Sequence, residues 1–440
     1  MTAAFRLRVP GLSGLLPHRV RWMLGAILLI ATGFRLWHID FGLPALHDPD
    51  EPIFVVLSLK LLQSGNFNPG WFGHPGTTTL YLLALVDIGI ILGGQALGAF
   101  DGPTAFLTAL YADPSIVVLP ARILIAMFGI ASVGLTYRIG ERLLSRPAGL
   151  VAALLLALCP LHVEYSQIIR TDVMASTFML SAILVSVSIA ERPALRSILL
   201  ACLFVGLATA TKWPGASALI APVAAVVWHA GNTGDWTRAP VRLATLIFGS
   251  IAALILVSPY ILLDHQQVYH DLLKEAPASH LGATGLGLGG NLLRYAGGYI
   301  PDAMSWPAAA LSALGMLLLA ARHARAFVLI APITIVFLLG ISAQSLIWLR
   351  WVVPLMPLLC LFAGVAITEP LRLSLTPSTC HALVALLLVG TLVPITFASI
   401  DGRRERGQDT RSLATRWALA QVPPGSRVVL EYFGFDMIGR

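Results

Sequence analysis

The chain has 440 residues, 57% hydrophobic and 12% charged, with a mean hydropathy of +0.81. A soluble domain carries roughly 45–50% apolar and about 25% charged residues, so this composition excludes a soluble enzyme, a disordered chain and a nucleic-acid binder. The net charge of +7 comes from 29 basic against 22 acidic residues, and in a membrane protein their placement matters more than their sum. Cys159, Cys202, Cys360 and Cys380 lie in or beside apolar runs. With no CxxC pair or His/Cys cluster, neither a disulfide framework nor a zinc site is expected.

The apolar runs are long rather than alternating, which predicts an all-α polytopic membrane protein. Eleven segments stand out, at about 20–38, 121–140, 147–161, 171–190, 196–212, 215–230, 243–262, 303–321, 326–342, 350–368 and 379–400. Softer stretches bring the expected count to about 11–13 spans. The first segment follows basic residues like a signal peptide but lacks a small-residue cleavage site, so it reads as an uncleaved helix. Arginines 6, 8, 19, 21, 138, 142, 146, 192, 196, 238, 242, 322, 325 and 372 mark the N-terminus and alternate connections as cytoplasmic. The opposite connections hold most of the carboxylates. The N-terminus is therefore expected inside, with a first external loop at about 40–120, a second at about 263–302, and a short extracytoplasmic segment at 401–440 after a membrane domain at 1–400.

This polarity demands an even number of crossings between the first segment and the one at 121–140. Either 77–98 pairs with a weak span near 103–119, or it lies in the interface; Asp87, Asp113 and Pro114 favour the interfacial reading. Residues 285–290 match GxGxxG formally, but no strand precedes them, so they read as a flexible loop rather than a dinucleotide site. In the tail, Asp409 to Gln421 predicts a short helix, Pro423-Pro424-Gly425 a turn and Arg427 to Phe433 a strand.

Four constellations could carry chemistry. The first is His47-Asp48-Pro49-Asp50-Glu51-Pro52, before an apolar stretch that ends at Gly65. Asp50 could simply cap a helix with Pro52 in its first turn, but capping explains one carboxylate better than three. The second runs from His162 through Glu164, Tyr165 and Arg170 to Asp172. An Arg170–Asp172 or Arg170–Glu164 pair that merely anchors the turn is the plain reading; grouped ionisable residues beside membrane helices otherwise suggest function. The third is Lys212, beside Trp213, which either snorkels at the interface or binds phosphate. The fourth is Arg350, between Trp348 and Trp351 and before Pro354 and Pro357. It is either an aromatic-belt anchor or a bidentate phosphate ligand.

Together these offer carboxylates near one helix end and isolated cations near others, all on one face. A glycosyl transfer from a lipid phosphate needs that combination. A carboxylate takes the acceptor proton, and cations stabilise the departing phosphate. At these residues the chain resembles the family 39 glycosyltransferases of the GT-C fold, which include protein O-mannosyltransferases, the lipid A aminoarabinose transferase and Rgt-type bacterial transferases. Asp50-Glu51 resembles the family's Asp-Glu pair, and Phe72 to Gly76, with His74, its His/Lys-Pro-Pro stretch, although Gly76 replaces the second proline. Arg170-Thr171-Asp172 resembles the second acidic site, Thr211-Lys212 the lipid-phosphate Thr-Lys, and Arg350 to Pro357 the Arg-Tyr-x-x-Pro-x-x-Pro element.

The resemblance implies a bacterial inner-membrane enzyme with an extracytoplasmic site and inversion at the anomeric carbon. Its partners would be a polyprenyl-phosphate sugar donor, an extracytoplasmic acceptor and the lipid bilayer. On that basis Asp50 is the base, Glu51 or Asp172 orients it or the acceptor, and Lys212, Arg350 and Arg170 hold the donor phosphate. Asp48, His74, His162, Glu164 and Tyr165 would line the substrate pocket. No cofactor is required. Asp48-x-Asp50 resembles the DxD of metal-dependent transferases, so a divalent cation on Asp48 and Asp50 is admissible, but basic side chains can neutralise a single phosphate. The rival readings are a secondary transporter or lipid flippase, which would need mid-membrane ionisable groups in related halves, and a non-catalytic relative.

Overall fold

A computed structural model describes residues 17–44, 46, 48–275, 283–408, 410–423 and 425–429. His47 and the expected strand beyond residue 429 lie outside the described residues. The described chain is helical, with a lone antiparallel bridge between Ala283 and Leu346.

In chain order, α1 (Pro17–Leu36) is followed by α2 (Glu51–Ser64), α3 (Thr77–Ala96) and α4 (Pro103–Ala112). Next come α5 (Ser115–Leu143), α6 (Arg146–Leu158), α7 (Pro160–Tyr165), α8 (Asp172–Glu191) and α9 (Leu195–Thr211). A 3₁₀ turn at Trp213–Leu219 leads into α10 (Ile220–Thr233), then α11 (Ala239–Val257), α12 (Tyr260–Leu263) and α13 (His265–Lys274). The last part holds α14 (Gly287–Arg294), α15 (Ile300–Met304), α16 (Trp306–Arg322), α17 (Ala324–Ser342), α18 (Met356–Thr368), α19 (Pro377–Gly407) and α20 (Thr410–Gln421).

Eight of these helical stretches among the described residues are long and apolar enough to cross a membrane, or nine counting the bent pair that meets at Ser305 at 119°. Three expected segments miss the criterion. The helix α1 carries Arg19, Arg21 and Arg35, while α6 and α9 have 13 and 17 residues. A span needs about 20 residues, and shorter helices suit a bundle in which neighbours cover their ends. Burial is graded from the middle outward. Every residue of α18 is buried, as expected of a helix apolar all round. By contrast α11 fully buries only Ala239, Leu246 and Ser250, while Val241, Ile247, Phe248, Ile251 and Leu256 are exposed.

A second small core, separate from the main one, joins Phe54, Val55 and Leu61 of α2 to Leu80 and Leu83 of α3, Phe106 of α4 and Val117 and Val118 of α5. It makes α2–α4 a cap on one end of the bundle. Helix α4 has ten residues and 115–119 belong to α5, so the weak span near 103–119 does not form, whereas α3, expected in the interface, is itself one of the eight helices long and apolar enough to cross a membrane. Asp87 on α3 is buried and accepts a 2.8 Å bond from Ser58 Oγ of α2.

Other expectations need correction. Residues 287–290 open α14 rather than forming a loop, with Gly285 and Gly287 at φ +66° and +65° just where the helix starts. In the tail, α20 and a turn closed by Ser426 N–H to Pro423 O are present, while 425–429 form no strand. The composition change at 401 does not end a helix, because α19 continues unbroken through the charged turn Asp401–Arg406.

Candidate active site at the capped end

Helix α2 begins and ends where Pro52 and Gly65 place it, with Gly65 at φ +61°. Asp50 is its N-cap residue, yet its side chain makes no capping bond. Instead Asp50 Oδ2 accepts from Arg170 Nη1 and, at 2.9 Å, from Arg350 Nη1. Arg170 Nη2 also reaches Asp48 at 3.1 Å, and Asp48 Oδ1 accepts the Asp50 backbone N–H at 3.0 Å. Three segments far apart in sequence thus meet in one line of charges: Asp48, Arg170, Asp50, Arg350. The anchoring pairs Arg170–Asp172 and Arg170–Glu164 do not form. Asp172, opening α8, pairs with Lys212 at the end of α9, and Glu164 pairs with Arg406 at 3.2 Å.

Asp50 Oδ1 accepts from no described residue, and the side chain keeps 31% exposure. Both arginines also retain a buried, unpartnered Nε. Glu51 has the opposite surroundings. It is wholly buried, holds Arg122 at 2.8 and 2.6 Å, and accepts the Ile169 N–H at 3.0 Å. Arg122 further donates to Ile39 O and Phe41 O, both at 2.8 Å. Glu51 lines neither cavity described below; it braces the loop before α2 against α5 and the turn before α8. Arg122, Glu275 and Arg406 escaped the sequence reading. A visible sign existed for Arg122, a lone charge at the start of an apolar segment.

Two cavities flank the charge line. The first, of 680 Å³, has a polar end with His74, Lys212, Glu275 and Gln344, and an apolar wall from Leu272 and Leu273 of α13 and Val336, Phe337 and Ile341 of α17. Trp213 and Trp351 complete it. Leu273 and Val336 are 64% and 49% exposed, so the apolar wall opens sideways. His74 Nε2 lies 2.9 Å from Glu275 Oε1, and its Nδ1 is buried without a partner. Burial, seconded by the nearby Lys212 charge, pushes the His74 pKa down to about 3, so its ring is neutral near pH 7. Burial likewise raises that of Glu275. The segment carrying His74 is strapped down by Trp213 Nε1 to Phe72 O at 3.0 Å and Phe72 N–H to Asp271 at 2.7 Å.

The second cavity, of 420 Å³, is lined by Asp48, Glu164, Tyr165 and, from the end of α19, Arg403 and Arg406. Asp50 is linked to both: Arg350 adjoins Trp351 in the first wall, and Arg170 holds Asp48 in the second. His162 lines neither cavity. It is fully buried, with Nδ1 at 2.8 Å from Arg35. No group of three or more His, Cys, Asp or Glu that could hold a metal occurs among the described residues. The acidic pair at 48 and 50 fits a cation poorly, since arginines already hold both Asp48 oxygens and Asp50 Oδ2.

A polytopic helical bundle with a capped, charged end is the architecture of the GT-C membrane enzymes, and solved structures of that fold superpose on this chain. It matches the Archaeoglobus fulgidus oligosaccharyltransferase AglB, solved with an inhibitory peptide and a dolichol-phosphate, at TM-score 0.58 and 12% identity over 92% of this chain and 58% of that one. ArnT from Cupriavidus metallidurans bound to undecaprenyl phosphate matches at TM-score 0.57 and 14% identity, over 94% of this chain and 82% of ArnT. The chain is thus an integral membrane protein with the GT-C fold. Within that class, residues 104–262 match the family model of dolichyl-phosphate-mannose-protein mannosyltransferase. That stretch includes Arg170, Asp172 and Lys212 but neither Asp50 nor Arg350. No curated protein matches this sequence.

Proposed function

We propose that the chain moves a sugar from a polyprenyl-phosphate-linked donor to an acceptor hydroxyl, with inversion, on the extracytoplasmic side of a bacterial inner membrane. The observation that carries this reading is Asp50, held by two arginines and with one carboxylate oxygen unengaged. The laterally open apolar cavity suits a polyprenyl chain, and its Lys212 end suits the phosphate. Structures of the same fold hold dolichol-phosphate and undecaprenyl phosphate. The charge line and both cavities lie at one end of the bundle, which favours a transferase over a carrier with mid-membrane sites.

In this mechanism the acceptor oxygen attacks the anomeric carbon while Asp50 Oδ1 takes its proton. The bond from that carbon to the phosphate oxygen breaks, and its electron pair stays on the phosphate, which gains one negative charge. Lys212 and the spare Nε–H donors of Arg170 and Arg350 stabilise that charge. Asp172 positions Lys212, and neutral His74 offers Nδ1 as an acceptor for a sugar hydroxyl. With these basic side chains beside a single phosphate, the mechanism requires no metal. The test is consumption of labelled polyprenyl-phosphate sugars by membranes containing the protein. Asp50→Asn should slow consumption by about 10²–10⁴-fold with unfolding temperature unchanged. Equal consumption by the variant would remove Asp50 as the base.

A further inference from the structure

The second cavity holds a cation that the proposed transfer does not use. Arg403, near the end of α19, lines the cavity at 3% exposure. Its Nε and Nη1 are buried with no hydrogen-bond partner. The carboxylates nearby are committed elsewhere: Asp48 to Arg170 at 3.1 Å and Glu164 to Arg406 at 3.2 Å. Glu405 also lines the cavity but is exposed and makes no ion pair with Arg403. Deeper in the bundle Arg35, wholly buried, is satisfied by the carbonyls of Ala31, Leu156 and Ala157 and brings no carboxylate of its own. A buried guanidinium with unmade bonds and no counter-ion is costly. Folds keep such local violations chiefly where a ligand completes them.

We infer that this cavity seats the acceptor, that the acceptor is an acidic glycan bearing a carboxylate or phosphate close to its reacting hydroxyl, and that Arg403 is the counter-ion of that group. The guanidinium fork matches either oxyanion in a paired geometry. Tyr165, in the same wall, offers an aromatic surface to a sugar ring, and the Asp48–Arg170–Asp50 line leads from the cavity to the base. The inference rests on the transferase reading: the apolar cavity takes the lipid donor, and the acceptor approaches from the opposite side.

The experiment uses the full chain in lipid nanodiscs and reads thermal unfolding with glucuronate, glucose 6-phosphate, glucose or undecaprenyl phosphate. The expected result is a rise in unfolding temperature with at least one of the two anionic sugars and none with glucose. Which anion acts tells carboxylate from phosphate. Arg403→Met should lose that rise and Arg403→Lys should retain part of it. Undecaprenyl phosphate should stabilise wild type and Arg403→Met alike. Without ligand, Arg403→Met should unfold at a higher temperature than wild type, because it removes an unpaired buried charge. The inference is overturned if glucose stabilises as well as the anions, if neither anion stabilises, if Arg403→Met keeps the rise, or if it unfolds earlier without ligand. A wild type indifferent to undecaprenyl phosphate would instead strike at the transferase reading, and the two failures stay separate.

Discussion

Asp50 and Glu51 are sequence neighbours with opposite environments. Glu51 and Arg122 are both fully removed from solvent and share two hydrogen bonds, whereas Asp50 keeps 31% exposure and has an oxygen to spare. The substitution Glu51→Gln would strip one charge from a sealed pair and leave Arg122 uncompensated, at a cost of about 3–5 kcal/mol. A much lower unfolding temperature in detergent is the expected result. The double variant Glu51→Met with Arg122→Met should recover most of the loss, since well-packed apolar replacements of buried pairs are often tolerated. If Glu51→Gln instead unfolded like wild type and lost only turnover, Glu51 would have to touch the substrate. Sequence reading selected this acidic pair correctly as a place of interest. It could not divide the labour, because the division depends on Arg122, 71 positions later, and Arg350, 300 positions later.

At the level of elements, local signals were legible where one residue type dictates the backbone. Pro52 and Gly65 gave both ends of α2. Elements whose form depends on a partner were not legible. The 119° bend at Ser305 is bracketed by Pro301 and Pro307, which mark helix starts but not the angle between them, and α14 starts inside a run of glycines that reads as loop. Close packing left a subtler mark in the glycines between helices. A Cβ on Gly315 of α16 would stand 1.8 Å from Phe362 O of α18, a backbone atom that cannot step aside. Gly315→Val should therefore push two central helices apart and destabilise the fold by at least about 1–3 kcal/mol. Reduced yield and a lowered unfolding temperature would show it, and a variant as stable as wild type would mean that α16 and α18 do not approach so closely.

For the molecule as a whole, composition and arginine placement were enough to predict a helical membrane bundle, because the bilayer admits few alternatives. The location of the cavities was not legible, since each is walled by residues from distant parts of the chain. The apolar cavity gives a test at this scale. Gly340 lines it, and a Cβ placed there meets nothing within 4 Å. Gly340→Leu should fill the passage without straining the fold. The expected outcome is an apparent KM for the lipid donor raised about tenfold, the order expected when contacts worth ~1.4 kcal/mol are lost, with an unchanged unfolding temperature. An unaltered KM would place the lipid elsewhere.

The charge line also has a consequence in time. Asp50 is emitted early in synthesis, but the arginines that orient it come 120 and 300 residues later. Until the helix after residue 350 has entered the bilayer, the carboxylate has no fixed direction. On the transferase reading proposed above, a chain still being threaded into the membrane would thus be unable to spend a donor on water, and the last arginine to arrive would arm the site only when the walls around it are complete.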